Sequence, residues 1–173
     1  MRMICLVALL WINHTYAAPI EAVSNLAAES MRAVSEGRVY LLYVSRMACP
    51  YCTQLEQGVL SPMLKNDGYL PLVDLRELAW EAEKVVDFDQ QVRGAAEIIT
   101  RYKVMGTPTL LFLGVQGNEL VSRITGYQSE DFYWYYFDEA IENVWIELEG
   151  RWPLENQSRQ ELADLPAPVS HRL

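Results

Sequence analysis

Two cysteines placed directly after an apolar run constrain the fold of this chain more than any other feature of its sequence. The run Val39–Ser45 (VYLLYVS) is continuous and rich in β-forming residues, as expected of a strand that is covered on both faces. The motif Cys49–Cys52 (CPYC) follows at once, and a helical pattern begins at Pro50, since proline suits the first turn of a helix. The sequence therefore predicts a strand, a cysteine pair and a helix in immediate succession.

The predicted helix gives the two thiols different chemistry. At a helix N-terminus, unsatisfied N–H groups and the helix dipole favour a thiolate, which is the nucleophile in thiol–disulfide exchange. Cys49 is therefore the candidate nucleophile, and Cys52, one turn into the helix on its core-facing side, suits the resolving role. Arg46 either adds positive potential to the Cys49 thiol or points to water.

Other roles for the cysteine pair find less support. A zinc site built on Cys49 and Cys52 needs two more ligands, and the chain has only three cysteines and two histidines. A purely structural disulfide between these residues would close a tiny loop with little entropic benefit. Two inert core cysteines are the remaining alternative. We therefore expect a redox-active disulfide, with no metal and no cofactor.

The N-terminal segment has the layout of a secretory signal peptide. Arg2 is followed by an unbroken apolar run over residues 3–12, a polar stretch and small residues. The run is too short to span a bilayer. We expect residues 1–17 to be removed by cleavage after Ala17; a buried N-terminal strand or helix is the alternative.

Cleavage would change the cysteine count. Cys5 would be lost, which leaves Cys49 and Cys52 as the only cysteines. No small residues precede Cys5 in the apolar run, so a lipoprotein anchor is not favoured. The mature chain is expected in the periplasm or secreted, without stable membrane insertion. Such a compartment is oxidising, so a cysteine pair there can form a disulfide and take part in redox chemistry.

Hydrophobic periodicity and turn signals divide the rest of the chain into helices and strands. The β-α-β part implies a parallel pair with a crossover helix, and a glycine-turned hairpin implies an antiparallel pair. We expect a domain over residues 18–150 and a loose tail over 151–173. The predicted elements are a helix Ile20–Glu36, a helix from Pro50 to about Asn66 kinked at Pro62, a strand Leu70–Leu75, a short edge strand Val85–Phe88, a helix Ala95–Tyr102, a strand Thr109–Leu113, a turn Gly114–Asn118, a return strand Glu119–Ile124, and a helix that Ser129 caps and that ends at Gly150.

A second motif, Met105–Thr109 (MGTPT), precedes another apolar strand. A proline at the start of a strand donates no ladder hydrogen bond. If the Thr107–Pro108 bond is cis, it forms a tight corner that exposes the backbone of Thr107. An ordinary trans proline is the alternative, and it is the commoner isomer. The sequence leaves both isomers open.

CPYC after a strand, followed by GTPT before a hairpin and a last helix, resembles the thioredoxin superfamily. More narrowly, the chain is similar to exported bacterial thioredoxin-like proteins, including those found with sulfur-oxidation systems. The resemblance implies an α/β thioredoxin fold, with a mixed central sheet, helices on both faces and an extra N-terminal helix. The stretches that carry it are Tyr40–Glu56, Val86–Phe88, Ala95–Phe112 and Ile124–Phe132, within about Val39 to Trp145.

The resemblance also implies a role for each matching position. The two cysteines take the same attacking and resolving roles that the helix N-terminus suggests. Pro108 would be a cis-proline that faces the disulfide, and Thr107 would pair its backbone with an extended segment of substrate. Pro50 and Tyr51 would tune the reduction potential and the local fit.

The chain departs from related patterns at several places. Ala48 stands where cytosolic thioredoxin has a tryptophan, and Tyr43 stands where it has a buried aspartate, so a proton acceptor for Cys52 is not evident. CPYC is also the usual glutaredoxin sequence, but Gly114–Gly117 does not match the paired-glycine glutathione motif. The segment Leu75–Gly94 is too short for the helical insertion of a DsbA-like oxidase.

Charge and composition limit the partners. The chain has 14 basic and 23 acidic residues, a net charge of −9, so it has no general electrostatic reason to bind nucleic acid or an anionic membrane face. We expect a thiol–disulfide oxidoreductase that reduces disulfides of proteins or small thiol compounds, with a membrane thiol–disulfide relay as electron donor. The alternatives are a disulfide donor or isomerase that uses the same cysteines, and a redox-sensitive binding or carrier protein.

The aromatic run 132–137 is expected to pack mainly in the core, with a partner surface as the alternative.

Overall fold

The computed structural model describes residues 20–66 and 68–149 of the 173-residue chain. The expected signal peptide (1–17), the expected tail (151–173) and Asp67 lie outside the described residues. In chain order the elements are α1 (Leu26–Ser35), β1 (Val39–Ser45), α2 (Pro50–Leu55), a π-helical turn (Glu56–Leu60), α3 (Ser61–Met63), β2 (Val73–Ala79), β3 (Val85–Val86), β4 (Val92–Arg93), α4 (Ala95–Arg101), β5 (Thr109–Leu113), β6 (Ile124–Thr125) and α5 (Glu130–Glu149).

Four of the strands form one mixed sheet, in the order β2-β1-β5-β6. β1 pairs in parallel with β2 and antiparallel with β5, and β6 pairs antiparallel with β5. All seven residues of β1 are buried, as its continuous apolar sequence predicts. β3 and β4 form a separate two-stranded ladder. The predicted fold class, a mixed central sheet with helices and an N-terminal helix, is confirmed.

The pleat of β1 divides the interior into two cores, because successive side chains of a strand point to opposite faces. On one face, Leu41 and Tyr43 pack with α2, the π-helical turn and α5. On the other face, Tyr40, Leu42 and Val44 pack with α1 and α4. The cysteine pair belongs to the first of these cores.

The first helix begins six residues later than the predicted Ile20–Glu36. Asn25 is its N-cap, with a side chain that accepts the N–H of Ala28 at 2.9 Å, and Glu29 accepts the N–H of Asn25 at 3.0 Å. These reciprocal bonds resemble a capping box, with the acidic residue one position later than usual, and they define the helix start. Residues 20–25 are extended instead, and the N–H of Val23 donates to the carbonyl of Glu77 on β2 at 2.8 Å.

Gly37 ends this helix as the sequence predicts. Its φ of 73° lies in the left-handed region that glycine adopts without penalty. The N–H groups of Gly37 and Arg38 donate to the carbonyls of Val34 and Ala33, at 3.1 and 2.8 Å, and so satisfy the last turn.

The helical segment after the cysteine motif extends over residues 50–63, three residues short of the prediction. Its irregular part is the π-helical turn, which ends at Leu60, two residues before Pro62. Proline lacks an N–H, so the hydrogen bond from position 62 to the carbonyl of Gly58 cannot form. Cys52 lies on the buried side, as predicted, together with Leu55 and Met63.

The bounds of β2 differ from the predicted strand Leu70–Leu75. Residues 70–72 lie in a turn, where the N–H of Leu72 donates to the carbonyl of Tyr69 at 2.8 Å, and Pro71 has no N–H for a ladder. The strand instead continues to Ala79 because it pairs with β1 along its whole length, from Val39 opposite Val73 onward.

The hairpin after β5 turns as predicted but returns as a shorter strand. Gly117, with a φ of 79°, and the hydrogen bond from Gly114 N–H to Asn118 carbonyl close the turn. Glu119 makes one isolated bridge to Leu113, and ladder pairing resumes only at β6. Between them the chain leaves the ladder, and the Arg123 guanidinium donates to the carbonyl of Tyr102 at 2.8 Å.

The remaining elements follow the sequence closely. The predicted edge strand Val85–Phe88 is shorter and pairs with β4 instead of the main sheet. β5 and α5 have the predicted bounds, and Ser129 Oγ accepts the N–H of Phe132 at 3.3 Å as the predicted cap. Within the described part of the chain, no helix is long and apolar enough to cross a membrane.

Candidate active site

The cysteine pair lies where β1 ends and α2 begins. Cys49 and Cys52 form a disulfide, with Cα atoms 5.2 Å apart. Cys49 is the N-cap of α2, and its Sγ accepts the backbone N–H of Cys52 at 3.2 Å. A donor aimed at this sulfur, together with the positive end of the helix, stabilises a thiolate on Cys49 once the disulfide opens.

Both cysteines are largely shielded from solvent. Cys49 is 6% exposed and Cys52 is 3% exposed, so the predicted difference in exposure between them is small. Pro50 is the first residue of α2, as predicted, and Tyr51 is 58% exposed beside the disulfide. Ala48, directly before Cys49, has a φ of 54°, a conformation that is strained for alanine.

The second motif lies opposite the first cysteine. The Thr107–Pro108 peptide bond is cis, which decides between the two isomers that the sequence leaves open. The carbonyl oxygen of Thr107 lies 3.8 Å from Cys49 Sγ, and its hydroxyl lies 3.5 Å from the same sulfur. The two predicted motifs, 58 residues apart along the chain, therefore meet at one place.

A cavity of about 520 Å³ opens beside the disulfide. Its charged lining consists of one cation, Arg46, and three carboxylates, which belong to Glu56, Glu77 and Glu81. The Glu77 carboxylate accepts the hydroxyl of Ser45 at 2.5 Å. Arg46 therefore faces the disulfide cavity in acidic surroundings, which offset its positive potential.

The sequence reasoning missed a polar pair at this cavity. Tyr43 is fully buried, and its hydroxyl donates to Glu56 Oε1 at 2.8 Å. Burial, and then the hydrogen bond to Glu56, raises the pKa of Tyr43 above its ordinary value, so the hydroxyl stays protonated as a donor. The available signal was spacing, since Glu56 follows Cys52 by four residues and so shares its side of the helix.

The aromatic run on α5 is divided between the core and the surface. Tyr133 and Phe137 are fully buried, as the core interpretation predicts. Phe132, Tyr135 and Tyr136 are exposed by 38%, 66% and 41%. The Tyr133 hydroxyl is the one buried side-chain polar atom without a hydrogen-bond partner among the described residues.

The potential metal ligands are dispersed. Over residues 20–66 and 68–149, no three His, Cys, Asp or Glu side chains are grouped so that they could hold a metal ion. The chemistry that the described residues support at this site is that of the two sulfur atoms.

A mixed sheet with a cysteine pair at the start of the helix after β1, and a cis-proline opposite it, defines a thioredoxin-like thiol–disulfide oxidoreductase. The chain belongs to the family described as Thioredoxin-like domain, whose model matches residues 26–141. This match covers both motifs and all four strands of the main sheet.

Several solved structures are similar to this chain at low sequence identity. A thioredoxin from Thermus thermophilus is 20% identical, with a TM-score of 0.50, over 80% of this chain and 98% of its own. The periplasmic thioredoxin SoxS from Paracoccus pantotrophus is 18% identical, with a TM-score of 0.44, over 61% of this chain and 98% of its own. The DsbH oxidoreductase is 17% identical, with a TM-score of 0.49, over 73% and 88%. No curated protein matches this chain.

Proposed function

We propose that this protein is an exported reductase of disulfides that works through Cys49 and Cys52. The observation that carries the proposal is the position of Cys49 Sγ, which caps α2, accepts the N–H of Cys52 and lies 3.8 Å from the carbonyl of Thr107. The Cys49 thiolate attacks a substrate disulfide and forms a mixed disulfide. Cys52 then attacks Cys49 Sγ, which releases the reduced substrate and leaves the Cys49–Cys52 disulfide.

The neighbouring residues position the substrate in this proposal. Thr107 pairs its backbone with an extended substrate segment beside Pro108, next to the attacking sulfur of Cys49. Pro50 and Tyr51 tune the reduction potential and the fit, and the exposed ring of Tyr51 supports a contact with substrate.

Export and electron supply are part of the same proposal. The sequence of residues 1–17 supports cleavage after Ala17 and delivery to the periplasm or beyond. An oxidising compartment requires a reductant, so we assign that role to a membrane thiol–disulfide relay. An association with sulfur oxidation rests on the motif resemblance alone.

Turbidimetric reduction of insulin tests the assignment of the cysteines. We expect Cys49→Ser to abolish reduction, because no other thiolate lies at the start of α2. Cys5→Ser is the matched control and should retain full activity. Reduction that persists in Cys49→Ser would refute the role of Cys49. With Cys52→Ser, mixed disulfides should accumulate in the native compartment, and their isolation would identify the substrates.

The direction of electron flow is tested by the reduction potential. A value of about −270 mV supports a reductase, and a value of about −120 mV supports a disulfide donor.

The exposed aromatic residues of α5 favour a second candidate, a redox-sensitive binding or carrier protein. That candidate requires partner complexes that persist when both cysteines are replaced by serine.

A further inference from the structure

We propose that Glu56 accepts the proton of the Cys52 thiol during the resolving step, and that Tyr43 positions its carboxylate. This inference rests on the proposed function, because it concerns the second half of the same reaction.

The resolving step needs a proton acceptor for a physical reason. Only a thiolate attacks a disulfide, and burial in apolar surroundings disfavours the thiolate of a cysteine. Cys52 is 3% exposed and packs in the same core as Tyr43 and Leu55. Its sulfur also lacks the N-cap position that favours the thiolate of Cys49. A group next to Cys52 must therefore take its proton.

Glu56 lies one helical turn after Cys52. The N–H of Glu56 donates to the carbonyl of Cys52, so the two residues occupy successive turns on one side of the helical segment. Both line the cavity beside the disulfide. A carboxylate at this place therefore lines the same cavity as the cysteine that must lose a proton, and this cavity opens to solvent.

Tyr43, on β1, holds the Glu56 carboxylate by a hydrogen bond. Its hydroxyl donates to Oε1 of Glu56 at 2.8 Å from a ring that is fully buried. The second oxygen, Oε2, accepts no hydrogen bond from the described residues and is available for the proton. The Tyr43–Glu56 pair thus brings an ionisable group next to the core that holds the cysteine pair.

The other carboxylates of the cavity are placed less well. Glu77 is on β2 and accepts the hydroxyl of Ser45. Glu81 is exposed and accepts the backbone N–H of Met47 at 3.2 Å. The titratable and charged groups around Glu56 are Tyr43 from β1, Glu77 from β2, Arg46 and Glu81 from the loops after these strands, and, beyond Tyr43, Tyr133 from α5.

The proton and the electrons balance within the proposed step. The Cys52 thiol gives its proton to the Glu56 carboxylate, and the Cys52 thiolate forms a bond to Cys49 Sγ. The bond between Cys49 and the substrate sulfur breaks, and the substrate leaves as a thiolate. That thiolate is protonated by Glu56 or by water, which restores the carboxylate.

Removing Glu56 should change the rate of attack by Cys52 in one direction if Glu56 accepts the proton, and in the other if it is only a nearby charge. A nearby negative charge raises the pKa of a thiol, so removing a bystander carboxylate would speed the attack by Cys52. Removing a proton acceptor slows it at neutral pH. The sign of the change therefore separates the two interpretations.

The test follows thiolate release from a chromogenic aromatic disulfide by stopped flow, in the full chain with Cys5→Ser. The first phase reports attack by Cys49, and the second reports resolution by Cys52. The aromatic thiolate leaves without a proton, so the second phase isolates deprotonation of Cys52. Glu81→Gln is the matched control because it removes the same charge from the same cavity.

In Glu56→Gln we expect the second phase to slow about a hundredfold at neutral pH and to recover towards the wild-type rate at alkaline pH. The first phase should be no slower than in the parent chain, because removing a negative charge from the cavity does not disfavour the Cys49 thiolate. Tyr43→Phe should slow the second phase less, because the carboxylate remains but is no longer held. Glu81→Gln should leave the second phase unchanged or faster.

The inference is overturned if the second phase in Glu56→Gln is as fast as in the parent chain, or faster. Equal slowing in Glu81→Gln also overturns it, since the effect would then be general. Failure of the proposed function looks different, because the parent chain itself would show no first phase that depends on Cys49.

Discussion

Tyr43 carries a polar group through an apolar layer at the scale of a single residue. Its ring packs in the core of the cysteine pair, and its hydroxyl reaches Glu56 at the cavity wall. Burial raises the pKa of this tyrosine, so it acts as a donor and not as an acid. A buried aspartate at this position would need its own charge stabilised, whereas tyrosine leaves the charge on a partly exposed residue.

Gly117 has a conformation and surroundings that exclude a side chain. Its φ is 79°, and a Cβ atom there would lie 2.6 Å from Cδ2 of Phe88 and 2.8 Å from the hydroxyl of Tyr102. We expect Gly117→Ala to lower the free energy of unfolding by about 2–4 kcal/mol, from left-handed strain and overpacking together. Urea unfolding measures this change.

Gly106→Ala is the matched control for that prediction. A Cβ atom at Gly106 meets nothing within 4 Å, and its φ lies outside the left-handed region. Its effect on unfolding should stay within about 0.5 kcal/mol, as for most surface changes. Equal losses in the two variants would contradict the steric argument.

At the scale of elements, one buried carboxylate ties the small β3–β4 ladder to α4. Asp87 is 4% exposed and lies between β3 and β4. Its carboxylate binds Arg93 of β4 at 3.2 Å, accepts the N–H of Phe88 at 2.7 Å and pairs with Arg101 of α4. The carboxylate thus joins the ladder to α4 through charge-assisted hydrogen bonds.

We expect Asp87→Asn to lower the free energy of unfolding by about 2–4 kcal/mol, because the two arginines lose the buried one of the two carboxylates that they share. Urea unfolding of the full chain gives the value. The control is Asp89→Asn, since the Asp89 side chain is 41% exposed and pairs with the same two arginines. An exposed pair contributes at most about 1 kcal/mol, so a larger loss in Asp89→Asn would refute this ranking.

At the scale of the whole molecule, β1 lies at the centre of both cores. It is buried along its length and hydrogen-bonded on both sides, to β2 and to β5. We expect the amides of β1 and β5 to exchange with deuterium most slowly, since their opening requires global unfolding. The amides of β3 and β4 should exchange fastest among the strands. Faster exchange in β1 than in β3 would contradict this order.

Elements that depend on nearby residues could be predicted from the sequence. β1, β5 and the N-cap of α5 at Ser129 match their predicted places, as does Gly37 at the end of α1. In each case the cause lies within a few residues: a continuous apolar run, a capping hydroxyl, or a glycine that accepts a positive φ.

Elements that depend on distant partners could not be predicted. Residues 21–23 pair with Glu77 instead of extending α1, and β2 follows the length of β1 instead of its own apolar run. The return strand after β5 is interrupted near Arg123, whose guanidinium donates to the carbonyl of Tyr102. No local pattern encodes these partners.

The candidate site divides in the same way. The two cysteines and the proline motif were evident as motifs, because a reactive thiol needs a helix start and a strand-initial proline leaves a clear pattern. The family resemblance implied that Pro108 is cis and faces the disulfide, and the folded chain has both features, whereas the Tyr43–Glu56 pair came from the folded chain alone. The sequence by itself determines features that depend on neighbouring residues, such as a thiol at a helix start. Contacts between distant segments are decided only by the way the sheet and helices pack together.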